Sequence, residues 1–291
     1  MGVFETVSPL QQLSHVAANF RASEHNALWL TMAESAVGRS QNFSPELLRD
    51  VFALNSAIHA NGVAWVANGA KQPIHYVVLQ SAHPDYFSLG GDLAYFRECI
   101  RQQDHQGLRD YSMLCVDMIY QWSSTLSQHA TTVALVQGRA LGGGFETALA
   151  SDYIIAEEQS EFGFPEILFG LFPCTGGMSL LCQRVSVHQA ERMMSDGKIY
   201  SAGELKALGV VDEICPRGKG ALAVEKFISE HARHRTARLM LQRGRHRLAP
   251  LNYMELQTVV GEWVEAAMGL SDDNLRVLDM LIQMQRASVI H

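Results

Sequence analysis

The segment from Val136 to Glu146, which reads VQGRALGGGFE, carries the strongest indication of the fold. The apolar segment TTVALVQ (131–137) predicts a buried strand, and the three glycines at 142–144 open a helix. Glycines at such a junction let backbone N–H groups approach a ligand closely, and amides at the start of a helix favour developing negative charge. Alternatively, the same glycines could serve only to form a tight turn with close packing of the helix on the strand. A phosphate loop is excluded, because no Gly-Lys-Ser/Thr follows.

A second glycine turn, FSLGGD from Phe87 to Asp92, lies about fifty residues earlier and also follows a predicted strand. Two strand-to-helix turns can each supply one N–H group to the same carbonyl oxygen. Such a pair would form an oxyanion hole for a thioester enolate or a tetrahedral intermediate.

Two glutamates accompany these turns. Glu146 lies in the first turn of the glycine-opened helix, and Glu166 lies in the segment FPEI (164–167), flanked by apolar residues. Two carboxyl groups in a partly apolar site can serve as acid and base when their surroundings separate their pKa values. Without the glycines, either residue would be interpreted as a helix cap or a surface residue.

The rest of the chain predicts an α/β fold, because strands and helices alternate as in βαβ units with a mainly parallel sheet. Ser44-Pro45 predicts a helix start, and Asn61-Gly62 a stop. The chain is helical throughout after about Pro216. The other predicted elements are a hairpin over 15–32, strands over 74–80 and 153–157, helices from 93 and over 107–127, and a loop-rich stretch over 163–177.

Composition limits the class of protein. Of 291 residues, 47% are hydrophobic and 18% charged, which is enough apolar material for a sizeable core. The net charge of -7 argues against a nucleic-acid binder. Five scattered cysteines without a C-x-x-C pair and histidines without ligand spacing predict neither disulfides nor a metal site. Since the N-terminus lacks signal-peptide features and no apolar run could span a membrane, we expect a soluble cytoplasmic protein.

Taken together, Gly142–Glu146 and Phe164–Pro173 resemble the paired signature of the crotonase (enoyl-CoA hydratase) superfamily. Phe87–Asp92 is similar to that family's other oxyanion turn. Lys198–Leu205 and the following Leu208–Asp212 resemble its later turn-helix-strand block. The resemblance covers residues 12–290. Within the superfamily, the sequence resembles the synthases of diffusible signal factor, which make cis-2-unsaturated fatty-acid signals. The stretches that are similar to these synthases are residues 75–79, 87–96, 134–146, 163–173, 181–184 and 211–218.

The resemblance implies a crotonase-like spiral of βαβ units over 1–215 and a helical C-terminal region over 216–291 that covers the active site or mediates oligomerisation. It assigns the oxyanion amides to Gly91 and Gly143 and the catalytic pair to Glu146 and Glu166. The remaining pocket residues that it implies are Leu89, Gly90, Leu141, Gly142, Phe169, Cys174 and Gly176. The sequence departs from the family pattern at Cys174-Thr175.

The reaction implied is dehydration of a 3-hydroxyacyl chain on acyl carrier protein to the cis-2-enoyl thioester. A thioesterase step then releases the free acid, a quorum-sensing signal. Glu166 would remove the C2 proton, and Glu146 would protonate the departing hydroxyl or activate the hydrolytic water. No metal or separate cofactor is implied, because the acyl chain of the substrate is carried on phosphopantetheine or on CoA. Expected partners are acyl carrier protein, the receiver domain of a two-component sensor, and further copies in a trimer or dimer.

One compositional outlier is the segment over 231–247, which holds six arginines: Arg233, Arg235, Arg238, Arg243, Arg245 and Arg247. It suits docking of an acidic acyl carrier protein or its phosphopantetheine phosphate, and equally a solvated helix face. No lysine or arginine lies between Gln72 and Tyr95, where hydratases that use CoA commonly place lysines. This favours a carrier-protein substrate.

Two other function classes stay open. One is a CoA-dependent enoyl-CoA hydratase or isomerase of fatty-acid metabolism, which shares every catalytic residue. The other is a non-catalytic role, such as RNA binding through the arginine segment. Retention of both glutamates and both glycine turns speaks against the non-catalytic role.

Overall fold

The structure is a computed structural model that describes residues 13–35, 41–67 and 69–287. The strands are β1 (Val16–Arg21), β2 (Ala27–Met32), β3 (Ala64–Ala67), β4 (Ala70–Pro73), β5 (Tyr76–Ser81), β6 (Tyr86–Ser88), β7 (Thr131–Val136), β8 (Arg139–Leu141), β9 (Tyr153–Glu157), β10 (Glu161–Gly163), β11 (Ile199–Ser201) and β12 (Glu213–Cys215). The helices are α1 (Pro45–Ala60), α2 (Leu93–Gln102), α3 (His105–Tyr120), α4 (Gly143–Leu149), α5 (Gly177–Leu181), α6 (Val187–Ser195), α7 (Ala202–Ala207), α8 (Gly220–Ala232), α9 (Arg235–Leu248), α10 (Tyr253–Met268) and α11 (Asp272–Ala287).

A six-stranded sheet in the order β1-β2-β5-β7-β9-β12 forms the centre of the fold. Only the β1–β2 hairpin is antiparallel; the other pairs in this sheet are parallel. Every residue of β7 is buried, because helices and loops cover both faces of the sheet, as its continuous apolar run predicts. The predicted α/β fold with a mainly parallel sheet is confirmed.

A second sheet, in the order β11-β10-β8-β6, was not predicted. Its strands have three residues each, which is too short for an alternation of apolar and polar residues to be recognised in the sequence. Because β6, β8 and β10 are parallel neighbours, their carboxyl ends meet at one edge. Both glycine turns and the Glu166 segment begin at that edge. The small sheet therefore assembles three segments that lie far apart in sequence.

The predicted helix starts and stops agree with the structure in part. Ser44 caps α1 by accepting a hydrogen bond from the amide of Leu47 at 3.2 Å, and Asn61 ends it. The helix predicted over 107–127 is instead α-helical only to Tyr120. It continues as a π-helical turn over Gln121–Thr125 and a 3₁₀ turn over Leu126–Gln128.

From residue 216 to residue 287 the chain forms helices and connecting loops without a strand, as predicted. Helix α8 packs against β7 and β9 on one face of the large sheet, whereas α10 contacts α3 and α11 contacts α2. Buried Val260 and Trp263 of α10 belong to the main core, so the C-terminal helices share it with the spiral. The boundary at 215–216 stays a prediction. Within the described ranges, no helix is long and apolar enough to cross a membrane. Residues 1–12, on which the signal-peptide prediction rests, lie outside them.

Candidate active site

A cavity of about 60 Å³ lies where the two glycine turns, the Glu166 segment and helices α3 and α10 meet. Its wall is mostly apolar, and Glu146, Thr147, Glu166 and Thr175 are among its few polar side chains. Concave apolar pockets with a few convergent polar groups are the usual form of small-molecule sites. The other lining residues are Phe43, Leu89, Gly91, Leu93, Phe96, Tyr111, Ser112, Cys115, Met118, Ile119, Gly142, Gly143, Pro165, Phe169, Phe172, Cys174, Trp263 and Gln285.

The two glycine turns are in contact. A Cβ built on Gly90, whose φ is +91°, would lie 3.0 Å from the amide nitrogen of Gly143, and one built on Gly143 would lie 3.6 Å from that of Gly91. A side chain at residue 90 would therefore push the turns apart, whereas a Cβ at residue 143 would make only ordinary van der Waals contact. Gly143 is the first residue of α4, where amides have no intrahelical partner. Gly91 and Gly143 both line the cavity, and their role as oxyanion amides stays a prediction.

Three buried phenylalanines hold the two glutamate segments together. The ring of Phe145, next to Glu146, stacks on Phe164 at 4.9 Å between centroids and lies 5.3 Å from Phe162. Such pairs contribute roughly 0.5–1.5 kcal/mol each beyond the apolar area that they bury. The cluster therefore helps to fix the backbone of Glu146 relative to the Glu166 segment through packing.

Glu146 is buried and its carboxylate accepts three hydrogen bonds. Its Oε1 accepts from the amides of Thr175 and Gly177, both at 2.8 Å, and its Oε2 accepts from the Thr175 hydroxyl at 2.5 Å. Burial raises the pKa of Glu146, and these hydrogen bonds, led by the Thr175 hydroxyl, oppose the rise.

Glu166 has a different environment. Within the described chain, its Oε2 atom is buried and has no hydrogen-bond partner. Burial first, and the nearby Glu146 second, raise the pKa of Glu166 to about 8. Two neighbouring carboxyl groups in such different surroundings suit acid–base work.

Gly142 provides the space for Glu166. A Cβ on residue 142 would overlap Oε1 of Glu166, and the φ of 51° at this position also disfavours residues with a side chain. The third glycine of the run, Gly144, packs against the backbone of Ser88.

The predicted pocket residues fall into two groups. Leu89, Gly142, Phe169 and Cys174 line the cavity, whereas Gly90, Leu141 and Gly176 do not. The latter three support the wall from behind: Gly90 where the turns meet, Leu141 at the end of β8, and Gly176, with a φ of 120°, between the two residues that donate to Glu146.

Sequence reasoning missed several residues of the site. Tyr111 accepts a hydrogen bond from the amide of Asp92 at 3.0 Å and donates to the carbonyl of Phe43 at 2.5 Å, which fixes the first glycine turn. Trp263, from α10, packs on Phe96 at 5.1 Å. Both positions lie in helical patterns that predict only core packing. Thr175 was noted as a departure from the family pattern, but no local signal links it to Glu146.

A smaller cavity of about 10 Å³ lies behind the first and is lined almost entirely by apolar side chains. The two cavities share Phe43, Met118, Ile119 and Thr147, so these residues form the partition between them. The π-helical residue Trp122 lies on the far side. Local π-helical turns are frequent at functional sites.

The arginine segment forms the end of α8 and most of α9, and three of its arginines bind the protein itself. Arg245 pairs with buried Asp152 at 2.6 Å, and Arg243 donates to the carbonyl of Gln128 at 2.7 Å. Arg235 donates to the carbonyl of His129 at 3.4 Å. Arg238 lines a shallow surface cavity beside Tyr153, and Arg233 and Arg247 are exposed. The carrier-docking role stays a prediction, with Arg233 and Arg247 as its best-placed residues.

The cysteines and candidate metal ligands form no further site within the described ranges. All five cysteines are unpaired, and no group of three or more His, Cys, Asp or Glu side chains could hold a metal ion.

A family model described as Enoyl-CoA hydratase/isomerase matches residues 63–246. The 2,3-dehydroadipyl-CoA hydratase of Escherichia coli (strain K12) is 28% identical over 206 residues, 70% of this chain and 76% of that protein. The enoyl-CoA isomerase/hydratase fer4 of Mycosarcoma maydis is 30% identical over 146 residues, 50% of this chain and 51% of that one. The fatty acid oxidation complex subunit alpha of Vibrio cholerae is 28% identical over 176 residues, 60% of this chain but 24% of that one. The chain thus spans a quarter to a half of the last two relatives.

Two solved structures support the fold. The enoyl-CoA hydratase of Bacillus halodurans superimposes with a TM-score of 0.71 at 23% identity, covering 92% of this chain and all of that one. Pseudomonas aeruginosa DspI superimposes with a TM-score of 0.58 at 23% identity, covering 80% of this chain and 82% of that one.

Proposed function

We propose that this chain, which belongs to the enoyl-CoA hydratase/isomerase family, removes water from a 3-hydroxyacyl thioester carried on acyl carrier protein and then hydrolyses the 2-enoyl thioester to the free acid. The observation that carries the proposal is the pair Glu146 and Glu166, with different hydrogen-bonding environments, around one apolar cavity beside two apposed glycine turns.

The reaction follows from this arrangement. Two amides that donate to the thioester oxygen would stabilise the enolate and so acidify the C2 proton. One carboxylate accepts that proton while the other carboxyl protonates the departing C3 hydroxyl. The same amides would stabilise the tetrahedral intermediate when a carboxylate activates water against the thioester carbonyl. The apolar wall suits an acyl chain.

Two observations favour a carrier protein as the thiol partner. The segment from Gln72 to Tyr95, which leads to the Gly91 turn, holds no lysine or arginine for the phosphates of CoA. The exposed Arg233 and Arg247 offer positive charge to an acidic protein. Release of an unsaturated fatty-acid signal, contact with a sensor's receiver domain and assembly as a trimer or dimer belong to the same proposal and rest on the family resemblance.

A second candidate is a CoA-dependent hydratase, and the names of the similar proteins favour it. Purified protein incubated with 3-hydroxyacyl-CoA and with the same acyl chain on carrier protein, followed by mass spectrometry, separates the two. We expect enoyl product and free acid from the carrier substrate, and Glu146→Gln or Glu166→Gln to reduce turnover by roughly 10²–10⁴. Turnover of the CoA thioester without free acid would favour the second candidate. Inactivity towards both substrates would contradict both.

A further inference from the structure

A surface cavity of about 200 Å³ is formed by one face of α9 and by the first residue of β9. We call it the arginine cavity, and it is lined by Tyr153, Arg238, Leu241, Gln242 and Arg245. The four residues from α9 follow the spacing i, i+3, i+4 and i+7, so they share one face of the helix. Within the described part of the chain, this cavity and the active-site cavity have no lining residue in common.

The floor of the arginine cavity is fixed by Gln242, which is buried. Its Nε2 donates to the carbonyls of Ser127 at 2.6 Å and Ala130 at 3.0 Å, and its Oε1 accepts from the Thr131 hydroxyl at 2.9 Å. These three hydrogen bonds tie α9 to the segment that leads into β7. The two arginines therefore extend from a backbone that is already held in place, as a preorganised binding site requires.

Arg245 is oriented by the protein. Its Nη2 pairs with Oδ1 of Asp152 at 2.6 Å, and its Nη1 donates to the carbonyl of the same residue at 3.4 Å. Oδ2 of Asp152 accepts from the amide and the hydroxyl of Thr132, at 3.0 and 2.9 Å, so this carboxylate is itself fixed. The guanidinium lies 5.9 Å from the ring centroid of Tyr153. A guanidinium has five N–H groups, so Arg245 keeps donors for a ligand.

Arg238 provides charge that the protein does not neutralise. Its side chain belongs to a half-buried residue, and among the described residues its guanidinium has no hydrogen bond and no ion pair. The hydroxyl of Tyr153 likewise has no hydrogen-bond partner there. The neighbouring Arg235 donates to the carbonyl of His129, which carries no compensating charge. Withdrawing a cation from water without a partner costs free energy, and a bound anion would offset that cost.

We propose that the arginine cavity is a binding site for a phosphate group, which Arg238 and Arg245 contact from two positions on α9 and to which Tyr153 donates its hydroxyl. A planar carboxylate is satisfied by the fork of one arginine, whereas a tetrahedral phosphate has oxygens for donors from several directions. The site does not rest on the proposed reaction, because none of its residues belongs to the glycine turns or to the glutamate pair.

The test is calorimetric titration of the whole protein with inorganic phosphate at constant ionic strength. Arg238→Gln should weaken phosphate binding roughly tenfold or more, and Tyr153→Phe roughly threefold, because each removes a donor to the anion. Arg233→Gln is the matched control, because it removes the same charge from an exposed position outside the cavity, and it should change Kd by less than about twofold. Arg245 is left intact, since its loss would strand the buried Asp152.

Two results would overturn the proposal. One is the absence of saturable binding by the wild type at millimolar phosphate. The other is equal weakening by Arg238→Gln and Arg233→Gln, which would mean general attraction to a basic surface. Comparison with 4′-phosphopantetheine identifies the source of the phosphate. Tighter binding of 4′-phosphopantetheine than of inorganic phosphate would support a site for the prosthetic group of a carrier protein, and equal affinity would support a site for a free phosphate-bearing metabolite.

Discussion

Replacing Glu166 by glutamine should make the protein more stable at neutral and alkaline pH while it reduces turnover by roughly 10²–10⁴. Between pH 4.5 and 8 the folded chain binds one more proton than the unfolded chain, because burial and Glu146 raise the pKa of Glu166 to about 8. The stability that protonated Glu166 contributes is therefore present below pH 4.5 and is lost as the pH rises through 8. Glutamine has the same shape and no charge to bury.

The size of the effect follows from the pKa of Glu166. Each pH unit between 4.5 and about 8 contributes about 1.4 kcal/mol, so the full difference in unfolding free energy is at most about 5 kcal/mol. Glu166 is half-buried as a residue, and solvent that reaches it through the cavity reduces the expected gain to about 3 kcal/mol.

Urea unfolding at pH 5, 7 and 8.5 measures this gain as the difference between Glu166→Gln and the wild type, so that other titrating groups cancel. Glu146→Gln is the matched control. An amide cannot accept from all three donors that hold Glu146, so this variant should gain no stability at any pH. If the difference between Glu166→Gln and the wild type does not grow with pH, the folded chain does not hold Glu166 protonated.

Three further changes test other parts of the molecule. Met118→Ala should join the two cavities, so that the enzyme prefers longer acyl chains, with kcat/KM changing roughly tenfold per methylene. Met118→Leu should leave the preference unchanged. Turnover of a series of substrates that differ in acyl-chain length measures this. Charge reversal at Arg233 and Arg247 should slow the reaction with the carrier-bound substrate and leave the reaction with an N-acetylcysteamine thioester unaffected. Charge reversal at Arg245, which pairs with a buried aspartate, should lower the stability of the protein and slow both reactions. Burial lowers the pKa of His231 to about 4, so the neutral imidazole favours the folded state above pH 6.5. About 3 kcal/mol of unfolding free energy should be lost as the pH falls from 6.5 to 4. The unfolding free energy of His231→Phe should fall less steeply with pH over this range.

The sequence predicted the elements whose cause is local. Ser44-Pro45 starts α1 through a cap three residues away, and the apolar run of β7 reflects burial on both faces. The three-residue strands escaped prediction, because their pairing across the small sheet, and not their composition, makes them strands.

The same limit applies to the site. Gly91, Gly143, Glu146 and Glu166 carry local motifs, so the sequence predicted them. Thr175 acts on a carboxylate 29 residues away, and no periodic pattern records that contact.

The arginine segment (231–247) is a case in which the sequence alone does not separate structural charge from exposed charge. Its positive charge is evident in the sequence and suggests a partner. Part of that charge is used within the fold: Arg245 and His246 both pair with Asp152, about ninety residues away, at 2.6 and 2.8 Å. Only the folded chain separates the arginines that hold the structure together from those that face solvent.

The space that Gly142 leaves for Glu166 has an evolutionary consequence. Residue 142 contributes no reacting side chain, yet any larger residue there would collide with the carboxyl of Glu166. The dependence has a direction: Glu166 can be exchanged for a smaller residue without disturbing Gly142, but Gly142 cannot change while Glu166 remains. In a saturation library selected for activity, the two positions should be equally intolerant. In a library selected only for folding, position 166 should diversify, whereas the glycine should persist because its φ of 51° disfavours a side chain even without Glu166. New chemistry on this scaffold would therefore begin at the carboxylates.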